Sequence, residues 1–478
     1  MIPMVITHAQ INRLYHQIET ELSTFSGQLN KLEVAHYPDN ERTQEIIQHL
    51  RGKVDIYQKQ SCKIMAQWED NPEEAINKLI TYIHNPLVSE DLNFLEWLRS
   101  AQTENVPWSI IPLIKTLASH LIPDHKVLTR CAPDHNYQIS WSRNPERAPN
   151  PFTILSLPRL HRTNVLWHTL LGHELFHPIC VEFINKHNER VLASIGTQCA
   201  EQMPITEKEE LFRKLQEQRV DEIARVTHLA WRRAMEELLS DMACVELFGP
   251  AAIMAMQAFC ACSPLNIMPS PQNKFYPPAR FRFEIVWQYS MKSEALSTIY
   301  SSCEKNGGIK EIVSCFKQEM ADLEKLASES QGAVLVSKHP WAKIAYDEVS
   351  TLLKDASQFV RDKLYALPIR RWDDELVVKQ IPLLLERLMA GIPPNEIVEQ
   401  IDEDECKYIT CPAEFAAILM AGWMYETYWQ KTYITTGNKM PYLTMSRLLL
   451  KSCEDVSAIG QKEIKSVCSD KACNTESA

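Results

Sequence analysis

A mainly α protein of α+β character, with one small β-sheet, is the fold class this sequence predicts, and three observations predict it. Glycine is scarce, 12 residues in 478, against about 7% in average usage, and tight hairpins and left-handed turns depend on glycine. Long stretches repeat apolar residues at spacings of three and four, the period of a helix face, whereas one short region alternates residue by residue. The apolar share of 45% and charged share of 23% are those of a folded globular chain, which excludes a disordered or collagen-like protein. The length allows two or three structural units on the rule of about 150 residues each.

In the first region, 1–125, Ile11, Leu14, Ile18 and Leu22 fall three and four apart and charged segments such as Asp39 to Arg42 follow, so a helical N-terminal region is expected. Between Val127 and Leu157 the period changes. Tyr137 to Trp141 alternates as a half-buried strand does, and Phe152 to Leu157 follows after a loop rich in proline, asparagine and arginine. Thr163 or Asn164 can cap a helix running through Val165, Leu166, Leu170, Leu171 and His177. A second long helix starts near Thr206, whose hydroxyl forms a capping-box pattern with Glu209, and continues in one or two pieces to Phe248, where Gly249-Pro250 ends it. Beyond Tyr276-Pro277-Pro278 amphipathic patterns return, punctuated by Gly307-Gly308, Pro340, Pro368 and Pro393-Pro394, which predicts a helical C-terminal region over 301–468. The polar residues 469–478 are expected to fray.

Charge and composition narrow the function. With 50 basic and 61 acidic residues the net charge is −11, and no basic tail is present to neutralise phosphates, so no nucleic-acid partner is expected. The 14 cysteines are scattered through a long chain and the start, Met1-Ile2-Pro3-Met4, lacks a basic segment followed by an apolar one, which predicts reduced thiols in a cytoplasm. The most apolar stretch, Phe415 to Trp423, is soon followed by Glu426, and a spanning helix needs about 20 apolar residues. No membrane partner is expected.

The chemistry concentrates in His173-Glu174-Leu175-Phe176-His177. In this HExxH pattern two histidines four apart lie on one helix face and can turn a nitrogen each onto one zinc ion. Glu174, on the adjacent face, can take a proton from a metal-bound water and later pass it to a leaving amine. The flanking Leu170, Leu171, Leu175 and Phe176 place the motif on a buried helix, where unpaired imidazoles would be costly.

Catalytic zinc needs a third protein ligand and an open fourth position. No HxxGxxH extension follows His177, so a glutamate is the natural third ligand. Two stretches offer a glutamate followed four residues later by an aspartate, Glu217 with Asp221 and Glu237 with Asp241. The first lies in the heavily charged run Glu207 to Arg225, which forms a solvated helix face most simply. The second is surrounded by Ala234, Met235, Leu238, Leu239, Met242, Ala243 and Val245, and a carboxylate aimed into such an interior needs a cation. Glu237 is therefore the chosen ligand. Asp241, one turn on, can accept the free ring N–H of a ligand histidine, His173 being the nearer choice.

These residues resemble the gluzincin metallopeptidases, which combine HExxH with a downstream Glu-x-x-x-Asp helix. The segment Glu237 to Asp241, followed by Tyr276-Pro277-Pro278-Ala279-Arg280-Phe281-Arg282, looks most like the family of the CAAX prenyl proteases and their soluble bacterial relatives, which carry a His-Pro-x-x-x-Arg element after the glutamate helix. The resemblance covers about Leu166 to Arg282. It implies a zincin-like metallopeptidase core, placed at 126–300, with a zinc cofactor bound by His173, His177 and Glu237, with Glu174 as general base and with a peptide or protein substrate. Two departures stand out. Tyr276 occupies the place of that family's histidine, and Pro178 directly after His177 is expected to kink the motif helix. Arg280 is carried over as an active-site or structural arginine.

Other residues carry weaker expectations. Tyr276 can donate a hydrogen bond to the oxyanion of a tetrahedral intermediate or simply pack beside two prolines. His168 and His228 turn away from the zinc-facing side, and Cys180 reads as a structural thiol. Cys260, Cys262, Cys406 and Cys411 lack the paired spacings of a structural zinc site, so no second metal is expected. The acidic runs Asp373 to Glu375 and Asp402 to Glu405 read as solvated surface. The function expected is zinc-dependent peptide hydrolysis. The alternatives are a zincin-fold scaffold that binds protein partners through its helical flanks, or a conditionally activated toxin or defence protease.

Overall fold

The computed structural model describes residues 8–133, 136–140, 152–202, 210–260, 266–290, 294–329, 332–337, 339–402, 407–436 and 445–456. It is mainly helical with a small sheet, and its contacts divide the chain into two units, Met1–Ile111 with Asp124–Arg162, and Pro112–Pro123 with Thr163–Ala478.

In the first unit, helices α1 (His8–Glu33), α2 (Asn40–Ala66), α3 (Pro72–Leu79) and α4 (Leu92–Ser100) enclose an apolar core. Ile11, Ile18, Leu22 and Leu29 of α1 meet Ile46, Ile47 and Leu50 of α2 there, at the three-and-four spacing that the sequence shows. Side-chain caps start two of these helices. Asp39 accepts from the amide of Arg42, and Asn71 from that of Glu74 with Pro72 at the first helical position. Strands β1 (Lys126–Ala132), β2 (Gln138–Ser140) and β3 (Phe152–Pro158) form a sheet with β3 in the middle, parallel to β1 and antiparallel to β2. Every residue of β3 is buried, whereas β2 shows exposed, buried and half-buried residues in turn. Trp141, the end of the expected alternation, lies outside the described residues. The strands that the sequence reading set beside the HExxH helix thus group with the N-terminal helices.

The second unit contains α5 (Ile111–Leu121, from Pro112 on), α6 (Leu171–Gln202), α7 (Glu210–Phe248), α8 (Pro250–Cys260), α9 (Ala279–Ser290), α10 (Ala295–Glu304), α11 (Lys310–Ser328), α12 (Gly332–Val336), α13 (Pro340–Tyr365), α14 (Glu375–Met389), strands β4 (Glu396–Asp402) and β5 (Lys407–Pro412), and α15 (Phe415–Thr436). Helix α7 packs along α6, and α13, from the expected C-terminal region, lies against both. Among the described residues no helix is long and apolar enough to cross a membrane.

Local differences from the sequence reading have physical causes. The helix expected to start at Thr163 or Asn164 begins as a 3-10 turn, Val165–Leu170, which Asn164 precedes without a side-chain capping bond; α6 starts only at Leu171. Pro178 does not interrupt α6, which runs on to Gln202. The proline removes one ladder bond, while Leu175, Phe176 and Cys180 around it are fully buried and hold the helix in place. The capping box at Thr206 and Glu209 lies outside the described residues.

The stop at Gly249-Pro250 is present. Gly249 has φ +56, donates to the carbonyl of Val245 at 2.7 Å, and lets α8 begin at Pro250. Residues 396–402 and 407–412, expected within a helical region, pair as the antiparallel strands β4 and β5. Of the two runs read as solvated acids, residues 403–405 of the second lie outside the described residues, whereas in the first Asp374 accepts from the amide of Leu376 and caps α14.

Candidate metal centre

The centre is built by the start of α6 and the middle of α7. Gly172 permits their approach: a Cβ there would stand 3.1 Å from Phe248 Cε2 and 3.2 Å from Leu247 Cδ1 near the end of α7. One residue later His173 and, one turn on, His177 point at α7, their rings 4.8 Å apart and at 88° to each other. Their Nε2 atoms are 3.2 Å apart, and His173 Nε2 is 3.5 Å from Glu237 Oε2. A tetrahedral ion with ligand bonds of about 2.0–2.1 Å requires ligand atoms about 3.3 Å apart. His173, His177 and Glu237 can therefore hold a metal ion, and they are the one such group among the described residues.

Each ligand candidate is braced from behind. Asp241 Oδ1 faces His173 Nδ1 at 2.8 Å, so that the ring presents Nε2 to the centre. Arg282 donates to both Asp241 oxygens at 2.7 Å and reaches Glu237 Oε2 at 3.0 Å. On the other side, His177 Nδ1 lies 3.3 Å from Ser240 Oγ and 3.4 Å from Glu236 Oε1. Arg233 pairs with Glu236 Oε2 and with Glu237 Oε1, each at 2.9 Å. Glu174 Oε1 lies 4.0 Å from His173 Nε2.

The electrostatics ask for a cation. Glu174, Glu236, Glu237 and Asp241 are all buried, and the carboxyl groups outnumber the two guanidiniums that pair within this group. Burying such charge unpaired is very costly, and one divalent cation neutralises it. The His173 ring reports the same deficit. Burial favours its neutral form, yet Asp241 and Glu237 outweigh burial and push its pKa up to about 10. Burial likewise opposes ionisation of Glu237, but Arg282, His173 and Arg233 hold its carboxyl well below the ordinary range. Asp241 is lowered against its own burial by Arg282 and His173.

Of the residues read from sequence, the structure brings His173, Glu174, His177, Glu237 and Asp241 together. Glu217 sits 20 residues before Glu237 on α7, about 30 Å along the axis, and its partner Asp221 is exposed. Tyr276 approaches the centre: the Arg233 guanidinium lies 4.0 Å from its ring centroid, and burial, then Glu237, push its phenol up to about 12. The arginine on the carboxylates is Arg282 and not Arg280, since residues two apart on α9 do not share a face. The spacing signal existed. Arg282 stands four residues after Pro278, which is the Pro-x-x-x-Arg interval when the second proline is taken as the element's own, and Pro277 then stands at the histidine position. Arg233 was legible too, as a helical i,i+4 partner of Glu237.

The residues set aside stay outside the cluster. His168 is fully buried in the 3-10 turn. His228 bonds Asn188 at 3.1 Å and stacks on Trp231. The Cys180 thiol, driven up by burial, donates to the carbonyl of Phe176 and meets Ser240 Oγ at 3.4 Å. Cys262 and Cys406 lie outside the described residues. The chain matches no protein-family model, no curated protein and no solved structure.

Proposed function

We propose that the chain is a zinc-dependent metallopeptidase with a zincin-like core. The observation that carries this reading is the convergence of two histidine nitrogens and a glutamate oxygen within 4.8 Å of one another, with a further carboxylate, Glu174, 4.0 Å from one of those nitrogens. A His₂Glu donor set suits zinc and leaves a coordination position for water or substrate. The metal, when bound, supplies a water of lowered pKa and polarises the scissile carbonyl.

The remaining work falls to side chains of the chain. Glu174 accepts the proton of the attacking water and delivers it to the leaving amine. Tyr276, kept as a neutral O–H donor by a pKa of about 12, is the candidate donor to the developing oxyanion. Asp241 and Arg282 hold His173, and Arg282 takes the part that the resemblance assigned to Arg280.

Elemental analysis of the purified chain and digestion of a peptide library test this reading together. About one zinc per chain, with cleavage that disappears in Glu174→Gln while zinc is retained, is the expected result. Equal turnover by wild type and Glu174→Gln, both before and after limited proteolysis or partner addition, overturns the peptidase reading and leaves a metal-binding scaffold. A second reading, a peptidase active only after a trigger, is favoured by the burial of His173 (6% exposed), Glu174 (8%) and His177 (5%). It expects a loaded but silent chain whose cleavage of the same library starts after limited proteolysis or partner addition.

A further inference from the structure

Arg233 touches three parts of the centre at once. It lies one helical turn before Glu237 on α7, with a largely buried side chain. Its Nη2 meets Glu237 Oε1 at 2.9 Å and its Nη1 donates to Glu236 Oε2 at 2.9 Å. The face of the guanidinium covers the Tyr276 ring at 4.0 Å. Glu236 in turn sets its other oxygen, Oε1, 3.4 Å from His177 Nδ1.

The two oxygens of Glu237 consequently have different surroundings. Oε2 faces His173 Nε2 at 3.5 Å, where a metal would be shared. Oε1 lies 2.9 Å from Arg233 Nη2 as an ion pair without hydrogen-bond alignment. A carboxylate can meet a divalent ion through one oxygen or through both, and the second mode fills the position that a catalytic site must keep open. We infer that Arg233 is a positioning residue that keeps Glu237 bound to a divalent cation through Oε2 alone and seats Glu236 behind His177. The inference rests on the metal-site reading and deepens it.

The residue type fits the task. A guanidinium is a planar fork of five donors that can bridge two carboxylates and stack on an aromatic face together, whereas a lysine ammonium is a point charge that cannot. Arg282 does not duplicate the role, because its contact is with Oε2 at 3.0 Å and with Asp241. Nor does Ser240, which reaches His177 but neither glutamate oxygen by any contact described.

The test is titration of the metal-stripped, full-length chain with Co²⁺, followed by competition with Zn²⁺. The visible absorption of bound Co²⁺ is stronger in four-coordinate than in five-coordinate sites, so it reports whether Glu237 has turned bidentate, which a merely structural role would not move. Arg233→Gln is expected to lose affinity by about 10–100-fold, the usual range for removing a residue that holds a ligand, and to absorb more weakly. Arg233→Lys is expected to recover only part of both, and Arg232→Gln to match wild type.

A folded Arg233→Gln with wild-type affinity and spectrum overturns the inference. If Arg233→Gln does not fold, Arg233→Lys decides in the same way, a wild-type spectrum and affinity counting against the inference and a reduction of both counting for it. A wild-type chain that takes up no metal overturns this inference and the metal-site reading together, whereas uptake with unaltered variants overturns this one alone.

Discussion

The Nδ1 nitrogen of His173 faces Asp241 Oδ1 at 2.8 Å while its Nε2 nitrogen faces Glu237 Oε2 at 3.5 Å. One imidazole thus lies between two carboxylates that start one helical turn apart on α7. The nearer contact favours retention of the Nδ1 proton, so Nε2 is the nitrogen that gives up its proton to a metal. Replacing Asp241 by Asn keeps the shape but removes the charge that sets this tautomer. It is expected to weaken zinc binding by about 10–100-fold, read by competition with a chromophoric chelator; unchanged affinity would show that Asp241 serves only Arg282.

The choice of third ligand is checked by two substitutions on the same helix. Glu237→Ala is expected to bring bound zinc well below one per chain, whereas Glu217→Ala leaves the zinc content of the wild type. The reverse pattern in elemental analysis would remove Glu237 from the site.

Metal uptake is expected to release a proton. In the metal-free chain the His173 pKa is pushed up to about 10 from 6.5, so the ring is charged at neutral pH and must lose its proton to bind a metal. Apparent affinity should then rise by about tenfold per pH unit towards pH 10, the dependence expected for displacement of one proton. The stability of the metal-free chain follows the opposite course. A raised folded-state pKa stabilises fully below 6.5, and that contribution is lost as pH rises through about 10. The melting temperature of the stripped chain should fall across this window more steeply than that of the loaded chain. Uptake without proton release, measured by calorimetry in buffers of different ionisation enthalpy, would contradict the charged state of His173.

How much of this could be read from the letters depended on how local the signal was. His173 and His177 were legible because helix geometry alone puts positions i and i+4 on one face, and Glu174 because the HExxH pattern sets it on the adjacent one. Glu237 was legible because its apolar neighbours made an unpartnered carboxylate too costly. Arg282 was obscured because Arg280 lies three residues after Pro277, one short of the Pro-x-x-x-Arg interval that Pro278 completes at Arg282. The antiparallel pair β4–β5 was missed because Glu396-Ile397-Val398-Glu399 does not alternate with a period of two. The 3-10 start of the motif helix was missed because Val165 to Leu170 carries the same apolar pattern as an α-helix would. The grouping of α13 with α6 and α7 depends on long-range packing, on which spacing is silent.

The turn after α7 offers a prediction independent of the metal. Gly249 has φ +56, a conformation in which a non-glycine residue costs about 1–2 kcal/mol. A Cβ at this position would also stand 2.2 Å from Trp372 Cδ2, and the buried indole cannot move freely because the Trp372 amide donates to the carbonyl of Leu247 at 3.0 Å. Overpacking of this kind adds about 1–3 kcal/mol. Gly249→Ala is therefore expected to destabilise the chain by about 2–5 kcal/mol, the sum of those two effects, in chemical denaturation. Gly307→Ala is the control, since nothing lies within 4 Å of the added carbon, and its effect should stay within about 0.5 kcal/mol. Equal stability of the two variants would mean that Trp372 does not pack over the α7–α8 turn.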